Sequence, residues 1–425
     1  MFAPKRKPRR PRTAPQTTQR PRAASQETYR PRLTPEERRA RIRQRERESR
    51  EAAKGPIDLP FLLLTVLLTM IGLVMLFSAS FPSAISEGEH PAYYVIRQGV
   101  FAVMGFVGLF IMSKFNYQRL RGFSKLGVAV ALFLLILVII PGVGITQNNA
   151  TRWLGIPGVL TFQPSEIAKL AVILLFADSV AKKRERMEKF VPGVLPYAVI
   201  LGAFAVLMML EPHFSGTVLI LGIGAVIMLV GGLNRKLSVA AVTLGPLAAG
   251  LLLWGMFTGV IPYGQSRLAM WKDPFIDSLD EGYQMCQSLI SIGSGGVLGV
   301  GFGKSRQKYL FLPEEHNDFI FSIVCEELGL IGACIIMLIF SMLIIRGFWI
   351  AIHARNRFGT LLVVGIMTQI GLQAFLNMGV VTGLLPATGI SLPFFSYGGT
   401  ALFLQLVEMG IVLSVSRQIP APKHG

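Results

Sequence analysis

The chain has 425 residues, of which 52% are apolar and only 16% are charged, and its mean hydropathy is +0.53. These values exclude an ordinary water-soluble protein and indicate a polytopic membrane protein. The net charge of +18 would suit a nucleic-acid-binding protein, but residues 1–54 carry 18 Lys and Arg against 6 Asp and Glu, which is +12 of that total. The basic charge is therefore mostly a terminal tail, and no nucleic-acid partner is expected.

The tail at 1–54 is rich in Pro, Arg, Gln and Thr and contains almost no large apolar side chains. Such a segment cannot bury enough surface to offset its chain entropy, so it is predicted to be disordered. Its arginines are expected to hold it in the cytoplasm. Weak contact with anionic lipid or an acidic partner is the alternative role.

Apolar runs long enough to cross a hydrocarbon core of ~30 Å, at about 1.5 Å per residue, recur from Leu59 to Ser416. The predicted spans are Leu59–Ser80, Tyr94–Met112, Leu126–Pro141, Pro164–Ala181, Pro192–Leu210, Gly216–Leu233, Val239–Val260, Phe319–Phe348, Gly359–Met378 and Thr400–Ser416. The predicted fold class is therefore an all-α polytopic membrane protein with ten transmembrane helices.

Lys and Arg gather in alternate connections between these spans. The clusters lie at 114–125, 182–189, 235–236, 355–357 and 417–423. Positively charged loops stay in the cytoplasm, so both termini are predicted to be cytoplasmic. The chain is accordingly divided into the tail 1–54, a membrane domain 55–417 and a short cytoplasmic tail 418–425.

Two segments on the opposite, outer face are candidates for function. The loop at 258–318 is too long for a passive connector, and its basic residues work against the predicted topology, although mutual ion pairing at a wet surface would also explain them. The segment 382–400 contains Pro386, Pro393 and four glycines inside a stretch without any charged residue. A broken backbone at membrane depth must line a protein or water cavity, so a re-entrant loop is predicted, with a surface loop as the alternative.

The glycine-rich stretch Gly293–Ser305 (GSGGVLGVGFGKS) resembles a phosphate-binding loop of nucleotide-binding proteins. It fails that motif because Leu298 stands where a glycine is required. An amide-rich turn followed by Lys304, Arg306 and Lys308 remains suited to holding a phosphate group at the membrane surface.

Asp318 lies where the long loop re-enters the membrane. Its carboxylate is expected to have a raised pKa and to act as a general base, while the N-cap of the next helix is a compatible alternative role. Glu315 and His316 are weaker candidates for contact with substrate or a metal.

Several other ionisable residues lie in or beside the predicted spans, where each costs about 2.5 kcal/mol or more unless it is paired. Glu166 and Lys169 are three residues apart on one helical face, which favours mutual pairing. Glu326 and Glu327 lie about 12 Å into the eighth span. Glu211 precedes Pro212 and His213 at an outer turn, where complete exposure would carry no cost.

Three blocks of sequence resemble one bacterial family. They are TFQPSEIAK at Thr161–Lys169, the run from Gly282 to Gly332 that contains KSRQKYLFLPEEHNDF, and NMGVVTGLLPATGISLPFFSYGG at Asn377–Gly399. Together they are similar to the SEDS family, the shape, elongation, division and sporulation proteins, over nearly all of the chain after residue 58. The FtsW/SpoVE branch is more similar than the RodA branch. His213 stands where the family usually has an acidic residue, and Thr400 where it often has Ser.

The resemblance implies an inverting peptidoglycan glycosyltransferase, which polymerises lipid II at the outer face of the bacterial cytoplasmic membrane. It implies a class B penicillin-binding protein as partner, together with divisome or sporulation proteins. The family's essential loop aspartate corresponds to Asp318, and family Arg and Lys positions correspond to Arg152 and Lys169.

The leaving group in that reaction is undecaprenyl pyrophosphate, whose departure creates negative charge for cations to stabilise. The substrate-binding candidates are Arg152, Arg267, Lys304, Arg306, Lys169 and Glu166. A divalent cation such as Mg²⁺ is an alternative stabiliser. A lipid II flippase and a scaffold without catalytic activity are the competing hypotheses.

Overall fold

The computed structural model describes residues 55–147, 150–156, 160–211, 213–234, 236–240, 243, 270–280 and 282–419. The predicted basic tail, most of the short C-terminal tail, most of the seventh predicted span and the first part of the long loop lie outside the described residues. Arg267 is among the residues outside.

Helices make up most of the described chain. They are α1 (Leu59–Ser86), α2 (Tyr93–Lys114), α3 (Ser124–Ile139), α4 (Pro164–Lys182), α5 (Leu195–Leu210), α6 (Phe214–Val230), α7 (Tyr283–Gly295), α8 (Ile320–His353), α9 (Arg357–Val381) and α10 (Gly399–Ser416). Among the described residues, seven helical stretches are long and apolar enough to cross a membrane, and α6 is a shorter apolar helix. A helix covers each predicted span except the seventh, while the total of ten spans and their orientation stay predictions.

A small antiparallel sheet between α3 and α4 departs from the all-α prediction. Its strands are β1 (Ile145–Gln147), β2 (Ala150–Ile156) and β3 (Leu160–Phe162), in the order β1-β2-β3. Two of these strands are three residues long, too short for a two-residue period to stand out in the sequence. The sheet places Arg152 at its centre strand.

One face of α1 is a continuous apolar surface. Leu63, Leu67, Met70 and Val74 follow one another at helical spacing and are 57%, 44%, 55% and 52% exposed. Such a stripe would be unfavourable in water, whereas it matches the hydrocarbon of a bilayer. The membrane class inferred from composition is therefore visible in the side chains.

The interior is built around α9 and α10, most of whose residues are buried. α10 packs closely on α2: a Cβ atom added at Gly410 would lie 2.5 Å from the main-chain oxygen of Leu109. Small residues allow membrane helices to approach in this way.

Two breaks in the regular helical backbone stand out in the described structure. Gly329 interrupts α8 with φ 65° and ψ −170°, and the glycine-rich stretch packs against this kink. Residues 382–398 between α9 and α10, named here the broken segment, form no helix, in agreement with the positions of its prolines and glycines. Ile390, Leu392 and Phe395 of the broken segment are buried.

Candidate active site

Asp318 lies directly before α8 and is held through its main chain. The side-chain amide of Asn377, on α9, donates to the main-chain oxygen of Asp318 and to that of Ile390, both at 2.6 Å. The N-cap of α8 is Phe319, and no side chain caps it. The N-cap alternative for Asp318 is therefore wrong, and its carboxylate is left for another role.

The broken segment forms one wall beside this carboxylate. Gly389 has φ 68°, and a Cβ atom there would lie 3.3 Å from Oδ2 of Asp318. Ser396 donates through its hydroxyl to the main-chain oxygen of Asn317 at 2.7 Å, and the main-chain N–H of Tyr397 donates to the main-chain oxygen of His316 at 2.9 Å. The carboxylate thus faces backbone that two separate hydrogen bonds hold in register.

The broken segment is also held from the side of α2. The side chain of Gln98 donates to the main-chain oxygen of Ser396 at 3.1 Å and accepts from the main-chain N–H of Gly398 at 3.1 Å. Gln98 is 1% exposed. A buried amide that satisfies one donor and one acceptor of a loop fixes the loop's position.

Burial raises the pKa of Asp318 to about 6, and the nearby Glu314 carboxylate acts in the same direction. The charges of Arg152 and His316 lower this pKa and partly offset the effect of burial. A carboxylate with a pKa near 6 is mostly ionised at neutral pH yet takes up a proton more readily than an exposed one. This is the property expected of a general base.

Arg152, on β2, acts on a second carboxyl as well. Its Nε donates to the main-chain oxygen of Glu211 at 3.4 Å. Glu211 is only 2% exposed, in contrast to the exposure that its outer-turn position allowed. Burial raises the pKa of Glu211 to about 8, while the charge of Arg152 lowers it.

His213, two residues after Glu211, is also buried. Its Nδ1 lies 3.4 Å from the side-chain nitrogen of Gln163. Burial lowers the pKa of His213 to about 3, and the charges of Arg152 and Lys169 act in the same direction, so the imidazole is neutral at pH 7. A neutral imidazole therefore occupies the position where the SEDS family usually has an acidic residue.

Glu166 and Lys169 form the ion pair that their spacing predicts. The ammonium of Lys169 lies 2.7 Å from Oε1 of Glu166 and donates to Oε1 of Gln373, on α9, at 3.3 Å. Gln373 in turn donates to the main-chain oxygen of Ser391 at 3.1 Å. The pair thus connects α4 through α9 to the broken segment.

A deeper polar contact joins α9 and α10. The amide of Gln369 donates to Oε2 of Glu408 at 2.9 Å, and both side chains are 1% exposed. Sequence reasoning missed the roles of Asn377, Gln369 and Glu408. The available signal was a polar side chain inside an apolar helix, which is rare unless it has a partner.

The glycine-rich stretch binds acidic side chains of α8. The hydroxyl of Ser305 donates to Oε2 of Glu326 at 2.5 Å, and the main-chain N–H of Arg306 donates to Oε1 of the same residue at 2.9 Å. Lys308 is buried and pairs with Oε1 of Glu327 at 2.9 Å. The prediction that Lys308 helps to hold a phosphate group is therefore wrong, because its ammonium is committed to Glu327.

Lys304 and Arg306, by contrast, have exposed side chains. Within the described residues, the contacts of this stretch lead to Glu326 and Glu327, and none of them connects to Asp318. Their role in substrate binding stays a prediction, as does that of Arg267.

The two weaker candidates belong to the wall of the site. Glu315 accepts a hydrogen bond from Ser83, on α1, and lies 3.4 Å from Nδ1 of His316. The ring of His316 packs against Tyr94, on α2, with 4.6 Å between the ring centroids. Among the residues that the structure describes, no group of three or more His, Cys, Asp and Glu is arranged to hold a metal ion, so the alternative divalent cation has no assigned protein ligands.

The arrangement as a whole offers a base and a cation to a polar substrate. Asp318 can accept a proton, and Arg152 places a positive charge close enough to affect it. Displacement of an anionic leaving group by a hydroxyl group needs both features.

Comparison with known proteins supports a specific family. Residues 59–420 match the family described as cell cycle protein, FTSW_RODA_SPOVE. The probable peptidoglycan glycosyltransferase FtsW of Geobacter sulfurreducens is 41% identical over 362 residues, covering 85% of this chain and 95% of that protein. Stage V sporulation protein E of Bacillus subtilis is 39% identical over 364 residues, covering 85% and 97%.

Solved structures agree with the sequence comparison. A chain of a peptidoglycan synthase complex, described for its structural coordination of polymerization and crosslinking, has a TM-score of 0.71 and 28% identity, covering 85% of this chain and 98% of that one. The rod shape determining protein RodA of Thermus thermophilus has a TM-score of 0.63 and 28% identity, covering 86% and 98%. The chain therefore belongs to the FtsW, RodA and SpoVE family of cell cycle proteins and is a multi-pass membrane protein.

Proposed function

We propose that this protein is a peptidoglycan glycosyltransferase that polymerises lipid II at the outer face of the cytoplasmic membrane. The proposal depends on the surroundings of Asp318. Asn377 bonds its main-chain oxygen, Gly389 lies beside its carboxylate, and the charge of Arg152 lowers its pKa. The same activity is supported by a relative named as a probable peptidoglycan glycosyltransferase, which is 41% identical over 95% of its length.

The reaction is a single displacement at the anomeric carbon of the donor sugar. Asp318 takes the proton of the acceptor hydroxyl while the hydroxyl oxygen forms the new glycosidic bond. The bond to the pyrophosphate of the undecaprenyl carrier breaks at the same carbon, and undecaprenyl pyrophosphate leaves with its charge. Attack opposite to departure inverts the configuration. Arg152 stabilises the developing charge of the pyrophosphate.

The buried pair of Glu166 and Lys169 acts on the site through position. It joins α4 to Gln373, and Gln373 holds Ser391 of the broken segment. Because the broken segment walls the carboxylate of Asp318, a shift of this pair would move the wall. We assign Glu166 and Lys169 a positioning role and not direct contact with the reacting atoms.

The test uses the purified full chain with labelled lipid II in the presence of moenomycin, an inhibitor of the unrelated soluble-type polymerases. Wild-type protein is expected to build glycan strands, and Asp318→Ala is expected to lose at least a hundredfold in rate, since general-base catalysis contributes about 10²–10⁴-fold. Asp280→Ala is the matched control, because Asp280 is an exposed acid of the same loop region. An Asp318→Ala variant as active as Asp280→Ala would refute the base assignment.

A lipid II flippase is the second candidate, and one observation favours it. Glu408 and Gln369 extend the buried polar residues beyond Lys169 into the membrane-spanning helices. A translocation assay in vesicles separates the two functions: a flippase moves labelled lipid II between leaflets with Asp318→Ala in place, whereas a polymerase needs no such movement.

The crosslinking enzyme expected beside this protein is a class B penicillin-binding protein. The support is the similarity to a chain of a complex that coordinates polymerization and crosslinking. Co-purification of the two proteins from membranes tests this association. If Asp318→Ala leaves growth of cells intact while loss of the whole chain does not, the scaffold role prevails over the enzymatic one.

A further inference from the structure

Glu211 is a buried carboxyl that the mechanism above does not use. It follows α5 directly and is 2% exposed. Its Oε1 has no hydrogen-bond partner in the described part of the chain. An unsatisfied buried polar atom is costly, by about 1–3 kcal/mol, so it is kept where a ligand or water completes it.

The position of Glu211 points to the substrate. Arg152 bonds its main-chain oxygen, and the charge of Arg152 acts both on Glu211 and on Asp318. Arg152 is the cation to which the proposed function assigns the pyrophosphate of the donor, so a buried residue in contact with its guanidinium is a candidate to contact the same ligand.

The charge of Glu211 decides whether it can face a phosphate group. Arg152, on β2, is the cation that acts on it. His213, two residues along the chain, is neutral, and Lys169 on α4 is already paired with Glu166. If Glu211 and Asp318 were both ionised, one guanidinium would serve two carboxylates and would have little attraction left for a phosphate group.

We propose that Glu211 is a substrate-binding residue of this site, which in its protonated form donates a hydrogen bond to the phosphate group that Arg152 holds. The inference rests on the proposed function, since it assigns the ligand of the same site. A neutral carboxylic acid supplies one O–H donor, and a hydrogen bond to a charged phosphate oxygen is among the stronger ones. The raised pKa of Glu211, about 8, keeps the donor protonated at neutral pH.

The pH dependence follows from this assignment. Below pH 8 the carboxyl is protonated and binds the phosphate group. As the pH rises through about 8, the carboxyl loses its proton, the donor disappears and a negative charge repels the ligand. Affinity is therefore expected to fall about tenfold per pH unit above 8.

The experiment measures the Kd of undecaprenyl pyrophosphate for the purified full chain in detergent, from pH 7.5 to pH 9.5, with undecaprenol as the ligand that lacks phosphate. Wild-type affinity for the pyrophosphate is expected to fall across this range, whereas Glu211→Gln, which is neutral at every pH and keeps an N–H donor, is expected to give a flat profile. Glu211→Ala is expected to bind about tenfold more weakly than Glu211→Gln at pH 7.5. Affinity for undecaprenol should be the same in all proteins.

Glu89→Gln is the matched control, because Glu89 is an exposed acid on the loop between α1 and α2. It is expected to keep the wild-type profile. A profile of Glu211→Gln that falls as steeply as that of the wild type would overturn the inference, as would equal affinity of Glu211→Ala and Glu211→Gln.

The failure of this inference can be told from the failure of the proposed function. If the wild type makes glycan strands but the Kd of undecaprenyl pyrophosphate does not change on substitution of Glu211, only the role of Glu211 is refuted. A pH-dependent Kd that Glu211→Gln flattens, in a protein that makes no strands from lipid II, refutes only the polymerase assignment. Thermal unfolding of each variant at pH 7.5 identifies any that has not folded, and Glu211→Gln then decides the question.

Discussion

Removal of Lys169 offers a strong test of the buried polar group that joins α4 to α9. In Lys169→Met, Glu166 loses the ammonium at 2.7 Å and Gln373 loses its donor at 3.3 Å. Lys169 and Glu166 are 2% and 8% exposed, so solvent cannot replace the lost partner. Breaking a buried ion pair from one side lowers stability by about 3–5 kcal/mol. We expect the free energy of unfolding to fall by that amount.

The reasoning is checked by a double-mutant cycle. Glu166→Gln combined with Lys169→Met removes both charges, and it is expected to recover about 2 kcal/mol of the loss, because no unpaired charge remains. Equilibrium unfolding in mixed micelles, followed by circular dichroism, measures each step. Lys125→Met is the control, since Lys125 is exposed, and it should change stability by less than about 0.5 kcal/mol. A Lys169→Met variant as stable as Lys125→Met would refute the structural importance of the pair.

Three further predictions concern the kink, a helix cap and the base. Gly329→Ala should lower stability by about 3 kcal/mol in thermal unfolding, because its φ of 65° disfavours a side chain and a Cβ atom would collide with backbone. Gly122→Ala is the control and should not lower stability, since a Cβ atom there would have no other atom within 4 Å. Asp58→Ala should lower stability by about 2 kcal/mol, since Asp58 caps α1 and accepts two hydrogen bonds from Arg346, at 2.7 and 3.0 Å; Asp58→Asn, which keeps the cap, should lose less. The polymerisation rate should fall about tenfold per pH unit below about 6, where Asp318 becomes protonated, and a rate that stays constant down to pH 5 would contradict its role as base.

Much of the candidate site was open to prediction from local sequence. Asp318 stands out as an acid at the edge of a long apolar run, and the three-residue spacing of Glu166 and Lys169 predicts their pairing. Other parts were not open to prediction. Lys304, Arg306 and Lys308 look alike in the sequence, yet Lys308 is buried against Glu327 while the other two are exposed. Which of three neighbouring cations meets an acid depends on a helix that follows them in the chain.

The sequence also left the exposure of Glu211 undecided. Its place beside a proline at an outer turn allowed complete exposure, but the carboxyl is buried beside Arg152. Arg152, which contacts Glu211, lies on β2, a strand that was not predicted from the sequence. Asn377 likewise becomes informative only when its amide is seen to join Asp318 to the broken segment.

The membrane class, the places of α1–α6 and α8–α10 and the break after α9 were determined by the sequence alone, because hydropathy over a run of residues and the backbone limits of Pro and Gly are local properties of the chain. The helix α7 lies inside the predicted long loop and was not predicted. The partners of the buried charges were decided only by the tertiary structure. Arg152, Glu211 and Asp318 are far apart in the chain, and the charge and pKa of each depend on distances that exist only after the helices and the small sheet have packed.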